Sequence, residues 1–184
     1  NAAGYLVGAL LVPRLLRQVS PRGLLLFGSG ATAVLLAGHG LVLSDMPLLV
    51  LRALSGLASA LTFVCGGLLA ARLGSAPADT AHGAARPSAA LVLGLYYGGT
   101  GLGIIVAAAL VPPLVDRALP HAWQFAWLAL AGMALLATLG MAAGTRALPA
   151  PASSMAAGGR FVWRRFSFAL CGYLMFGLGY IGYM

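Results

Sequence analysis

Few residues of this chain are able to do chemistry, and Arg52 is the least expected of them. It lies in the apolar stretch LVLRALSGLASALTFVCGG (residues 49–67), which contains no Asp or Glu to pair with it. If Pro47 marks the outer end of a helix, Arg52 lies roughly 8 Å inside that end, at ~1.5 Å per residue. Two interpretations are open: the side chain reaches back to a polar boundary, or it faces a water-filled cavity.

Small residues follow Arg52 at helical spacing. Gly56 and Ala60 come four and eight residues later, with Ser55 and Ser59 beside them. Residues four apart share one face of a helix, and small residues on one face let two helix backbones approach closely. The pattern therefore favours a helix packed tightly against a neighbour, with Arg52 directed inward.

Two other motifs invite an enzymatic interpretation. Ser55 would need a histidine base at the same depth, but His39, the nearest candidate, is predicted to lie closer to the helix end. The sequence GGTGLG (98–103) lies in an uncharged run without a preceding strand or a following acid, so the context of a dinucleotide fingerprint is missing. We therefore predict no catalytic residue, no cofactor and no metal site, and we expect Cys65 and Cys171 to serve as small packing residues.

Composition excludes an ordinary soluble domain. The chain is 61% hydrophobic and only 8% charged, whereas soluble domains are about 25% charged. Its long uncharged runs are sufficient to cross the hydrocarbon core of a bilayer. The predicted fold is an all-α polytopic transmembrane bundle with about six spans, at approximately 1–17, 22–43, 47–73, 89–115, 121–146 and 161–184.

The distribution of arginine predicts the orientation of these spans. The first, third and fifth connections are rich in Arg, whereas the second and fourth carry only Asp45, Asp116 and Arg117. Because basic residues concentrate on the cytoplasmic side, we expect residue 1 to lie outside and the last span to run outward. The net charge of +8 then faces the inner leaflet, and nucleic acid is not an expected partner.

Several segments resemble one family. Arg52-x-x-x-Gly56-x-x-x-Ala60 resembles the fourth-helix motif of the major facilitator superfamily. The segments NAAGYLVGAL (1–10), GLYYGGTGLGI (94–104) and GYLMFGLGYIGYM (172–184) resemble the second, fifth and seventh helices of bacterial YbfB/YjiJ-type transporters. The resemblance implies a fragment of a longer protein: an N-terminal bundle without its first helix (1–144), a cytoplasmic linker (145–160) and the first helix of a C-terminal bundle (161–184).

The resemblance also implies a function. A protein of this family would carry a small solute across a bacterial inner membrane by alternating access, with protons as a possible coupling ion and Arg52 involved in the coupling. Tyr97, Tyr173 and Tyr180 are candidates for lining a central cavity, since transporter sites lie near the bilayer midplane; ordinary helix packing is the alternative for them. The alternative for the whole chain is a non-transporting membrane scaffold or assembly subunit, and the substrate is not predictable.

Overall fold

The computed structural model describes residues 1–75, 88–115 and 119–146, together with Ser167, Cys171 and Met175. The described part is helical. Its five helices are α1 (Ala2–Leu15), α2 (Pro21–Leu41), α3 (Asp45–Ser75), α4 (Ala89–Leu114) and α5 (Trp123–Gly144). All five belong to one compact unit, Asn1–Leu148, and a second unit comprises Pro149–Met184.

Four of these helices are long and apolar enough to span a membrane: Pro21–Leu41, Asp45–Gly74, Ala89–Leu114 and Trp123–Gly144. Helix α1 is apolar but has only 14 residues, which corresponds to about 21 Å. The sixth predicted span, 161–184, lies outside the described residues except for Ser167, Cys171 and Met175, which are helical. The all-helical prediction is confirmed for the described part.

Local sequence signals set the helix ends. The Ser20 hydroxyl accepts a hydrogen bond from the Gly23 amide at 3.1 Å and so caps α2, whose first residue is Pro21. Ser88 caps α4 in the same way by accepting from the Leu91 amide. Such caps satisfy amide groups that have no partner within the helix. Helix α3 begins two residues before the predicted Pro47, with Asp45 in its first turn, where a carboxylate is favoured by the helix dipole.

Helix α3 is the centre of the described bundle. It packs against α1, α2 and α4, and α2 also packs against α5. The buried core is small and is formed by α1, α2 and α3, through Val12, Leu24, Leu25, Leu61 and Cys65. Many other large apolar side chains are exposed, as expected of helices surrounded by lipid.

Candidate functional site

The small residues predicted to pack lie in a close seam between α1 and α3. A Cβ atom added to Gly56 would overlap the Asn1 carbonyl oxygen and lie 2.8 Å from the Tyr5 amide nitrogen. On the facing helix, a Cβ at Gly8 would lie 2.8 Å from the Cβ of Ala60. Ala60 is fully buried. The seam brings the two helix backbones together, which is the arrangement that small-residue spacing allows in membranes.

Beside this seam the helices line an open cavity of about 340 Å³. Every described helix contributes to its wall. Helix α3 supplies the largest share, and the lining residues are Tyr5, Ser29, Thr32, Ser59, Thr62, Phe63, Tyr96, Ala134 and Ala137. Six of these carry hydroxyl groups and none is charged, so the wall matches an uncharged occupant.

Most of the hydroxyl groups in the wall already have partners. Thr32, Ser59 and Thr62 donate to carbonyl oxygens of their own helices, at Gly28, Gly56 and Ala58 respectively. Ser29 pairs with Thr138 of α5 at 2.6 Å. Because these hydroxyl groups already donate their protons to acceptors within the protein, the wall presents mainly carbon atoms to an occupant. The serine and threonine oxygens keep lone pairs that are able to accept hydrogen bonds.

An aromatic cluster closes the α4 side of the cavity. The Tyr96 hydroxyl donates to the Phe63 carbonyl oxygen at 2.8 Å, which ties α4 to α3. The Phe63 ring also lies 5.5 Å from the ring of Tyr97 and 6.4 Å from that of Tyr5, measured between ring centroids. Tyr96 is in the cavity wall, whereas Tyr97 lies beside it and is half exposed. The other two candidate tyrosines, Tyr173 and Tyr180, lie outside the described residues.

Arg52 is exposed at the surface of the described bundle, and its guanidinium carbon lies 5.3 Å from the centre of the Trp127 ring. This is a cation–π distance. The contact joins α3 to α5. On α3, Arg52 lies seven residues before the cavity residue Ser59, and on α5, Trp127 lies seven residues before the cavity residue Ala134. Seven residues of a helix correspond to about 10 Å along its axis. Arg52 is therefore placed above the cavity, at the end predicted to face outward, and does not line it.

His39 is the third member of this cluster. Its ring stacks on Trp127, with 4.7 Å between ring centroids and 24° between the planes. The side chain is 2% exposed, and Nδ1 lies 2.7 Å from the Leu35 carbonyl oxygen. Trp127 therefore contacts a buried imidazole and a guanidinium group, and the three side chains come from three different helices.

Sequence reasoning did not identify Tyr96 or His39 as site residues. Tyr96 was visible in the same aromatic pair as Tyr97. His39 was considered only as a base for Ser55, although its uncharged, apolar surroundings in FGSGATAVLLAGHGL are themselves a signal, because ionisable groups within spans usually have a function. Both omissions concern which face of a helix points inward.

These features define an all-helical, multi-pass membrane protein with a cavity between its helices. A family model described as "Uncharacterised MFS-type transporter YbfB" matches residues 1–184. The chain therefore belongs to this family of the major facilitator superfamily, and the resemblance found in its sequence is confirmed. No curated protein and no solved structure matches the chain. Members of this superfamily are transporters and are generally not enzymes.

Proposed function

We propose that the chain forms part of a secondary transporter that moves a small solute by alternating access and couples this movement to protons. The observation that carries the proposal is the cavity of about 340 Å³ to which all five described helices contribute. Its volume is within the range of small-molecule sites, about 300–1,000 Å³. Family membership supports transport as the general activity.

The cavity wall favours a particular class of solute. None of its lining residues is charged, and a buried charge without a partner is strongly unfavourable. Carbon surface and the ring of Phe63 instead suit an apolar or aromatic group, and lone pairs of the Ser59 and Thr62 oxygens suit a few donors. We infer that the part of the solute bound here is uncharged and largely apolar.

Arg52 is the candidate for proton coupling or for setting the electrostatic potential above the cavity. Its support is its place within an apolar helix, one turn from Gly56 in the α1–α3 seam, and its contact with Trp127. No acidic residue lies in the middle of α2 to α5. A titrating carboxylate would therefore come from the solute or from outside these helices.

The wider arrangement belongs to the same proposal. Residues 1–144 would form part of an N-terminal bundle in a bacterial inner membrane, residues 145–160 a cytoplasmic linker, and residues 161–184 the first helix of a C-terminal bundle. Tyr97, Tyr173 and Tyr180 remain the candidates for lining a central cavity near the membrane midplane.

A transport assay in proteoliposomes tests the proposal. The full-length protein is reconstituted around a pH-sensitive dye, and a panel of uncharged aromatic and aliphatic solutes is added from outside. We expect at least one solute to cause proton movement in the wild-type protein. Arg52→Ala should reduce it at least tenfold, because the positive charge above the cavity is lost.

The matched control is Arg72→Ala, since Arg72 is at the opposite end of the same helix and should leave most of the transport intact. If Arg52→Ala transports as well as the wild-type protein at every pH, Arg52 has no role in coupling. If radiolabelled solutes enter without any proton movement, the transport proposal stands and its proton coupling is wrong.

A further inference from the structure

His39 is a buried titratable side chain that the proposed function does not use. We propose that its Nε2 atom is a proton-binding site, and that protonation of His39 releases Arg52 from Trp127. The proposal depends on the juxtaposition of three side chains from α2, α3 and α5. Proton binding by His39 does not depend on transport. A role of this proton in coupling rests on the proposed function.

The hydrogen bond of His39 fixes the tautomer of its neutral form. Nδ1 lies 2.7 Å from the Leu35 carbonyl oxygen, and a carbonyl oxygen can only accept. Nδ1 must therefore carry the hydrogen, which leaves Nε2 with a free lone pair in the neutral ring. That lone pair is the position at which a proton would be taken up.

The Nε2 atom is also buried without a hydrogen-bond partner. In the described part of the chain, two buried polar side-chain atoms have no partner, and they are His39 Nε2 and Ser55 Oγ. Ser55 lies three residues after Arg52, on the same side of α3. Since buried polar groups are nearly always paired, the unpartnered Nε2 atom is a position able to accept a proton.

Trp127 connects the protonation of His39 to the position of Arg52. The indole ring is 4.7 Å from the imidazole ring and 5.3 Å from the guanidinium carbon. An aromatic ring attracts a cation, but two cations close to one ring repel each other. A proton on His39 therefore weakens the hold of Trp127 on Arg52, and Arg52 can move because it is exposed.

Few other charged groups of the described residues are near this end of the bundle. On α3 they are Asp45 and Arg52, whereas Arg72 is at the far end. Helix α5 carries no charged residue between Trp123 and Gly144. His121 lies in the segment that precedes α5. Arg52 is thus the charge that the structure brings to the same aromatic ring as His39.

Tryptophan fluorescence measures this competition directly. The full chain, in lipid nanodiscs, carries Trp123→Phe and Trp163→Phe so that Trp127 is its single tryptophan. An imidazolium in contact with an indole quenches the fluorescence of the indole. The emission of Trp127 is recorded between about pH 8 and about pH 5, and we expect it to fall where His39 takes up a proton.

Four variants test which side chain causes the pH dependence of the Trp127 emission. His39→Gln should abolish the pH dependence, and His39→Phe, which keeps a stacked ring without a titrating group, should abolish it as well. His121→Gln is the matched control and should leave the curve unchanged. Arg52→Met should change the pH dependence of the Trp127 emission and move its midpoint, because it removes the second cation from the ring.

The results overturn the proposal in three ways. A flat emission curve in the protein that retains His39 shows that the ring does not take up a proton in this range, whatever the variants do. A curve that persists in His39→Phe assigns the titration to another group. A midpoint unchanged by Arg52→Met shows that the two cations do not compete, and the release of Arg52 is then wrong. None of these measurements requires transport, so the two proposals can fail separately.

Discussion

Two regions of the molecule contain glycines at the same spacing, yet their surroundings are opposite. In the seam between α1 and α3, Cβ atoms added to Gly4, Gly8 or Gly56 would meet backbone atoms of the facing helix. Along α4, no described atom lies within 4 Å of a Cβ added to Gly94, Gly98 or Gly99. No residue of α4 is buried, whereas Gly8 and Val12 of α1 are.

The contrast shows what a four-residue glycine spacing does and does not establish. It shows that one face of a helix carries no large side chains, so that another helix can approach that face closely. Whether a neighbour does so depends on the residues of the facing helix. In the seam, Gly4 and Gly8 face Ala53, Ala60 and the backbone of Leu57, so small residues on both helices allow contact. Helix α4 instead contacts α3 through Tyr96 and Tyr97.

The largest predicted effect is the loss of stability caused by a bulky substitution in the α1–α3 seam. Gly56→Leu should prevent the α1–α3 seam from forming, because even a Cβ atom there overlaps the Asn1 carbonyl oxygen. We expect a loss of folded protein, since overpacking costs about 1–3 kcal/mol or more even where the neighbours can shift. Thermal unfolding of the purified protein in detergent, followed by size-exclusion chromatography, measures the loss.

Gly99→Leu is the matched control, because it adds the same side chain on the open face of α4. It should leave the melting temperature within a few degrees of that of the wild-type protein. Equal losses for the two variants would show that another helix covers the α4 face in the folded protein, and the contrast between the regions would disappear.

The interface between α3 and α4 provides a smaller and more local test. A Cβ at Gly66 would contact the Tyr96 hydroxyl and lie 2.8 Å from Tyr96 Cε2, whereas a Cβ at Gly67 would lie 3.3 Å from the nearest atom, the Tyr97 hydroxyl. Gly66→Ala should therefore displace the Tyr96 ring and destabilise the protein by about 1–2 kcal/mol.

Gly67→Ala should change the stability by less than about 0.5 kcal/mol, because gains in helix propensity offset a mild contact. Denaturation in increasing concentrations of sodium dodecyl sulfate, followed by circular dichroism, compares the pair. A larger loss for Gly67→Ala than for Gly66→Ala would mean that Tyr97, and not Tyr96, anchors α4.

Helix positions were predictable from the sequence, and side-chain partners were not. The uncharged run 89–115 predicts α4 within one residue of its observed bounds, because a bilayer demands long apolar helices and charges end them. The place of Arg52 near the start of its helix was also predictable, because Pro47 indicates where α3 begins. The contact of Arg52 with Trp127 was not predictable, because the two residues lie on α3 and α5 and the spacing within one helix says nothing about the other.

The choice between Tyr96 and Tyr97 shows the same limit at a finer scale. Adjacent residues of a helix point about 100° apart. In a soluble helix an amphipathic pattern would show which of the two faces inward. Helix α4 is apolar on every side, so its sequence carries no such pattern, and only the position of α3 determines that Tyr96 reaches the cavity.

Apart from the control variants, the smallest predicted effect concerns the hydrogen bond that joins α4 to α3. Tyr96→Phe removes the hydroxyl that donates to the Phe63 carbonyl oxygen at 2.8 Å and leaves the ring in place. We expect a loss of about 1 kcal/mol, the usual contribution of one such bond, seen as a small decrease in the melting temperature. Hydrogen exchange of α4 amides should rise more than that of α1 amides, because the bond is a polar link of the loosely packed helix.

Tyr97→Phe is the control: its ring contacts with Phe63 and Tyr96 are kept, and exchange in α4 should change less. If α1 and α4 respond equally to Tyr96→Phe, the loose region and the close seam unfold as one unit, and their difference is steric only.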